Sequence, residues 1–325
     1  MLTRRSLIAA SALTGLTGVL PTYAAQPYPA RTVKIVVPFP PGTPSEFVIR
    51  ALADRLSARF KQPFIVENRS GGAGGTLGAT TVATADPDGH TLLASPPGPL
   101  VTAAAIYKNL SYDPAALVPV ALLFNSPQLL AVHPSVPAKS LQELVQHAKA
   151  HPRTLNFASP GYGTQPHLLG EVLKERAGID IVHVPYKSPA AALTDLLAGQ
   201  VQVYFETSPL VLPQVQAGKL RVLAIAGSSR LNHLPEVPTT RESGFPHLLG
   251  GFWSGLVAPA GTPADIVEAI NAAANEAVRS PEVQTAMETL GASLQLGTPA
   301  EFGAFISAET KRWTEIIRAS GVKVD

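Results

Sequence analysis

Short β-branched and apolar runs alternate along the chain with longer stretches in which apolar residues recur every three or four positions. Val33 to Val37 reads as a strand; Phe39-Pro40-Pro41-Gly42 cannot continue it. From Ser45 onward Val48, Leu52, Leu56 and Phe60 fall at i, i+4 spacing on one helix face. Phe64 to Val66 is the next strand, followed by a Gly-rich turn at 71 to 75, a short helix and a third strand from His90 to Ala94. That order predicts a right-handed βαβ unit.

A second set of elements opens near Val118, with apolar runs from Val118 to Phe124 and from Leu129 to His133. Ser140 and Glu143 form an S-x-x-E capping box that starts a helix reaching about Ala150. Strands are predicted at Leu155 to Ala158, Ile181 to Val184 and Val201 to Phe205, each followed by a helix, from about Thr164, Ala190 and Pro209. Arg221 to Ala226 and Phe252 to Ala258 read as further strands. Residues 263 to 279 and 299 to 319 read as helices, the last opened by Thr298 and Glu301. This pattern predicts an α/β protein of two lobes, each a mainly parallel sheet flanked by helices. The chain is expected to build lobe 1 from residues 26–125 and 227–325 and lobe 2 from 126–226. The hinge is expected near 124–128 and 226–252.

Composition narrows the setting. Charged residues make up 15% of the 325 and hydrophobic residues 46%, which excludes an intrinsically disordered chain despite 31 Pro and 26 Gly. The first 25 residues combine a basic start (Thr3, Arg4, Arg5), an apolar stretch from Leu7 to Leu20 and a small-residue end at Tyr23-Ala24-Ala25. This is the pattern of a secretory signal peptide, whether of the general or the twin-arginine type. Its apolar part, of about 14 residues, is shorter than the ~20 needed to span a bilayer. There is no Cys, so neither a disulfide framework nor a lipid-anchored mature N-terminus is expected. The mature protein is expected outside the cytoplasm, free of the membrane and monomeric. Of 25 Lys plus Arg, Arg4 and Arg5 lie in the leader, which leaves 23 cationic against 23 anionic residues. A neutral body has no field to concentrate polyanions, so no nucleic-acid partner is expected.

The motifs of several chemistries are missing. Gly71 to Gly78 is glycine-rich, but Leu77 stands where a dinucleotide fingerprint beginning at Gly72 needs its third glycine, and the segment follows the second strand. It reads better as a turn allowing close backbone approach, and no cofactor is expected. No P-loop or G-x-S-x-G occurs. His147 and His151 lie at metal-ligand spacing but at a helix end, where imidazoles favour the dipole, so no metal site is expected. Two loops carry more information: Pro38 to Glu46 and Ala158 to Thr164 each join a strand to a helix. Both are expected to offer backbone N–H groups at a helix N-terminus, where a carboxylate is held by amides and the helix dipole.

Many blocks in order resemble the receptors of tripartite tricarboxylate transporters, the Bordetella-uptake-gene (TctC) type. They include Ile35 to Gly42, Val66-Glu67-Asn68-Arg69, Gly72 to Gly75, Asp86 to Gly89, His167-Leu168 with Gly170-Glu171, Val182 to Lys187, Leu193 to Leu197 and Ala258 to Pro263. The resemblance covers essentially the whole mature chain. It implies a Venus-flytrap periplasmic binding protein without catalytic activity, whose two loops pinch a ligand carboxylate and which hands its ligand to membrane permease subunits. A ligand-presenting sensory receptor or a secreted α/β hydrolase are the alternatives.

On that resemblance the ligand-binding candidates in the first loop are Pro41, Gly42, Thr43, Ser45 and Glu46. In the second they are Ser159, Gly161, Tyr162, Gly163, Thr164 and His167, and Gly74, Ser95, Tyr186 and Glu206 complete the set. The chain departs from the family pattern at Thr43 and Glu46, where Gly and Asp are usual, and at Pro160, Tyr162 and Pro166. Pro160 removes one backbone donor. Tyr162 could stack on an aromatic carboxylate or hydrogen-bond a polar group.

Overall fold

The computed structural model describes residues 28–320, so the leader predicted at 1–25 lies outside the described residues. In β1 (Val33–Val37) every residue but Lys34 is buried, because helices cover both faces of its sheet. α1 (Pro44–Phe60) buries Val48, Ile49, Leu52 and Leu56 on one face. β2 (Phe64–Asn68) and β3 (Thr91–Ser95) pair in parallel with β1 on either side, and α2 (Thr76–Ala83) packs Ala79 and Val82 beneath Val36 and Leu93.

A π-helical turn at Gly98–Thr102 runs into α3 (Ala103–Ile106), an element hidden from pattern reading by Pro97, Gly98 and Pro99. β4 (Val118–Pro127) belongs to the first sheet. It pairs antiparallel with β10 (Gly251–Ala258), and β11 (Ser293–Leu294) pairs on its far edge. The order of this six-stranded sheet is β11-β4-β10-β3-β1-β2.

The second, five-stranded sheet has the order β7-β6-β8-β5-β9, from β5 (Leu129–Val132), β6 (Asn156–Ser159), β7 (Val182–Pro185), β8 (Val203–Glu206) and β9 (Arg221–Ile225). α4 (Leu141–Ala150), α5 (Gln165–Ala177), α6 (Pro189–Leu197) and α7 (Ser208–Gln216) connect them. The expectation of mainly parallel sheets needs correction. β6, β7 and β8 are parallel, as are β1, β2 and β3, but β4 against β10, β10 against β3, and β5 against both β8 and β9 are antiparallel. The reason is the traffic between sheets: β4 leads out of the first sheet and β10 returns to it, so the two lie side by side in opposite directions.

The crossings meet at Gln128. Its N–H donates to Gly250 O at 3.0 Å and its carbonyl accepts from Ala226 N–H at 2.8 Å, so the outgoing and returning segments are tied at one residue. After β10 come α8 (Ala264–Ala277), α9 (Pro281–Leu290), which has no counterpart in the sequence expectations, and α10 (Pro299–Ser320). The expected capping boxes form. Thr298 and Glu301 exchange bonds at 2.7 and 3.2 Å, while Ser140 caps the Glu143 N–H and the Glu143 carboxylate reaches one residue further back, to Lys139 N–H.

One apolar cluster joins the sheets. Trp253, Phe302 and Trp313 of the first pack with Leu130, Phe157, Leu168 and Phe205 of the second, while the opposite faces are covered by α1, α8 and α9 on one sheet and by α6 and α7 on the other.

Candidate functional site

The first loop leaves β1 and enters α1. Glu46, in the first turn of α1, folds its carboxylate back onto the loop: Oε2 accepts from Gly42 N–H at 2.7 Å and Oε1 accepts from Arg50 Nε at 2.7 Å. Arg50 also reaches Asn68 Oδ1, whose Nδ2 donates to Phe39 O at 3.0 Å, so one chain of bonds fixes both sides of the loop. Burial pushes the Glu46 carboxyl up, but Arg50 and the Gly42 amide outweigh it and hold the group below its ordinary value. Glu46 is thus the anion at this helix N-terminus, and the Gly42 amide expected to face outward is engaged by it. Thr43 and Ser45 share a hydroxyl hydrogen bond at 3.3 Å, and Pro41 and Gly42 are exposed.

The second loop is wired from within as well. Ser159 Oγ, at the end of β6, accepts from Gly161 N–H at 3.1 Å, donates to Gly161 O at 2.9 Å and shares a 2.7 Å hydrogen bond with His183 Nε2. Thr164 Oγ1 donates to Gly161 O at 2.7 Å. Gly163 N–H donates to His167 Nδ1 at 3.0 Å, which requires a neutral imidazole. His167 and His183 stack with centroids 4.0 Å apart, Phe157 flanks His183 at 4.9 Å, and Tyr162 meets both imidazoles edge-on at 5.4 and 5.2 Å. Burial, helped by Lys174, pushes His167 down to about 4. Burial, then His167 and Lys174, pushes His183 down to about 3. The Tyr162 ring itself is 56% exposed, a surface available to a ligand at the mouth of the loop.

A relay of close packing runs from the first loop, through α2 and the segment 98–107, to a seam at the second loop. Gly78 lies so close to Pro38 that a Cβ there would come within 2.9 Å of the Pro38 Cα, so α2 abuts the first loop. The Gly-rich turn is therefore a site of close backbone approach. Gly74 neighbours Gly98 and the Tyr107 hydroxyl, and the adjacent Ile106 touches Gly163 of the second loop: a Cβ on Gly163 would overlap its Cδ1 methyl. Tyr186 N–H donates to Ser159 O at 2.8 Å, and its hydroxyl is committed to Asp195 at 2.8 Å.

Two predicted residues spend their hydrogen bonds at the ends of their own strands. Ser95 is fully buried at the end of β3 and donates to Pro96 O. Glu206 shares the sheet face of Tyr204, opposite the face of Phe205 and α5. Its carboxylate accepts from Tyr204 Oη at 2.6 Å and from Thr207 N–H at 2.7 Å, while burial raises its pKa. Sequence reading missed His183, although its β7 strand was found, and Gln165, a neutral side chain that motif searches pass over.

Two α/β sheets linked by paired crossings, with a strand-to-helix loop of the second packed on α3 of the first lobe, define a periplasmic-binding-protein architecture. The model of the tripartite tricarboxylate transporter family receptor (TctC) matches residues 48–322, and the chain belongs to that family. BugT of Bordetella pertussis is 37% identical over 309 residues, covering 94% of each chain. Among solved structures, Rpa4515 of R. palustris, determined with adipate, is 33% identical with a TM-score of 0.80, covering 91% of this chain and 100% of that one. MatC of Rhodopseudomonas palustris, determined with bound malate, is 36% identical with a TM-score of 0.76, covering 89% of this chain and 100% of that one.

Proposed function

We propose that this receptor captures a small carboxylated metabolite between its two lobes and delivers it to the membrane subunits of a tripartite transporter, without chemical turnover and without a cofactor. The observation that carries the reading is the packing of the second strand-to-helix loop, at Gly163, on Ile106 of α3, an element of the first lobe. A ligand there touches both lobes, and only contacts made to both can favour a closed form over an open one. The permease then has a shape by which to tell loaded from empty receptor. Residues 26–125 and 227–325 form one moving body and 126–226 the other, with the hinge at the two crossings around Gln128. The leader at 1–25 directs export to the periplasm and is removed there. That Rpa4515, determined with adipate, and MatC, determined with bound malate, are relatives supports a carboxylate as the ligand class.

In this reading Glu46, Ser159 and His167 hold the loop backbones in shape, while Thr43, Ser45, Tyr162 and the N-terminus of α5 face the ligand. Calorimetry with a bound acid and its primary amide tests it: the acid binds and the amide is weaker by at least about tenfold, the loss of one charge-assisted contact. Equal affinities would remove the carboxylate, and turnover of the acid would remove the receptor.

A further inference from the structure

The hydrogen-bond capacity of the seam is uneven. Ser159, Thr164, His167 and Glu46 spend theirs on their own loops. Two glutamines do not. Gln165, the first residue of α5, is 8% exposed, and both its Nε2 and Oε1 lack a protein partner. Gln128, at the crossing of the segments, is 3% exposed with its Oε1 equally unpaired.

The two belong to the same corner of the fold. Leu130 and Val132 of β5 lie in the core shared with α5, so Gln128, two residues before Leu130, points to that same sheet face. The start of β5 lies beside the end of β8, which runs parallel to β6, so Gln128 is at the sheet edge from which the second loop and α5 depart. Gln128 N–H also bonds Gly250 O, and Gly250 packs on Leu169, one helical turn beyond Gln165. Buried amides with no partner are uncommon, because each unmet donor or acceptor carries a desolvation cost.

We propose that Gln128 and Gln165 form a hydroxyl-recognising subsite at the floor of the cleft, so that the receptor selects a hydroxylated carboxylate over its deoxy counterpart. A carboxylate supplies only acceptors, which suit Gln165 Nε2 but leave both Oε1 atoms unmet. A ligand hydroxyl can accept from Gln165 Nε2 and donate its one proton to Gln128 Oε1, and so engages both side chains where a carboxylate engages one. An ammonium would also donate, but it needs a counter-charge. The Glu206 carboxyl lies on the opposite sheet face, Glu46 is held by Arg50, and Glu171 by Lys174 at 3.1 Å. This inference rests on the carboxylate reading above.

The test is calorimetry of ligand-stripped protein with matched acids: L-malate, succinate and L-aspartate, then 2-hydroxyglutarate and glutarate. In the native protein the hydroxy acid of the better-fitting pair binds tighter by about tenfold or more, the effect of one buried acceptor left without a donor. In Gln165→Leu the ratio falls to within about threefold through loss of hydroxy-acid affinity, with deoxy-acid affinity little changed. Gln128→Leu gives the same outcome independently should the first variant fail to fold, as judged by its thermal transition. Equal binding of hydroxy and deoxy acids, an unchanged ratio in a folded variant, or a preference for aspartate overturns the subsite and leaves the carboxylate reading standing. If no carboxylic acid binds, both readings fall.

Discussion

Gly163 offers the sharpest perturbation of the seam. Its φ is +72°, a conformation that costs an L-residue about 1–2 kcal/mol. A methyl group there also overlaps Ile106 Cδ1. Ile106 is buried, so its escape is an off-rotamer shift costing about 0.5–1.5 kcal/mol. Gly163→Ala should therefore destabilise by roughly 2–3 kcal/mol. Ile106→Ala, a core truncation, should cost about 2–5 kcal/mol. In the double variant the overlap disappears while the backbone strain remains, so it should be more stable than the sum of the single effects by about 1 kcal/mol. Urea unfolding of the four proteins measures this coupling, which exceeds the ~0.5 kcal/mol within which independent sites add. Calorimetry on the same set should show ligand affinity falling in Gly163→Ala and partly recovering in the double variant. Strict additivity in stability would refute the contact between the second loop and Ile106, and with it the packing of that loop on the first lobe at this point.

Two further outcomes follow from the loop wiring. His167 and His183 have folded-state values below the unfolded one, so the unfolded chain binds more protons and stability falls as pH drops below about 6.5 towards about 4. His167 alone should account for about 1.5 kcal/mol between pH 6.5 and 5; His167→Asn, which keeps an acceptor for the Gly163 amide, should flatten that slope, and an unchanged slope would count against the buried neutral imidazole. Glu46→Ala should lower stability by about 1–3 kcal/mol because the Gly42 amide and Arg50 both lose their partner. A variant that weakened ligand binding with no loss of stability in urea would make Glu46 a ligand contact and not a brace.

Much of this architecture was legible in the chain because strands buried on both faces leave apolar runs, broken only by Lys34 at Val33 to Val37 and by Gln202 at Val201 to Phe205. Strand direction was not, since antiparallel pairing of β4 with β10 comes from the path between sheets and leaves no local mark. α9 buries Val283 and Met287 among polar neighbours, too sparse an apolar stripe to read, and the Pro-rich start of the 98–106 helical segment resembles a loop. The two loops were found because each follows a strand and precedes a helix. What they do with their amides was hidden in i, i+4 partners: Glu46 with Gly42, and His167 with Gly163. His183, 24 residues from the Ser159 it touches, could be joined to the site only by the pairing of β6 with β7.

Capture between two lobes is tested most directly by small-angle scattering of ligand-stripped protein, titrated with an acid whose binding has been established by calorimetry. Closure around the crossings at Gln128 should reduce the radius of gyration in step with occupancy, and the melting temperature should rise with it, by the equivalent of about 2.7 kcal/mol at 100 times the dissociation constant. A radius of gyration that stays constant from empty to saturated, while calorimetry reports full occupancy, would contradict closure of two lobes on the ligand.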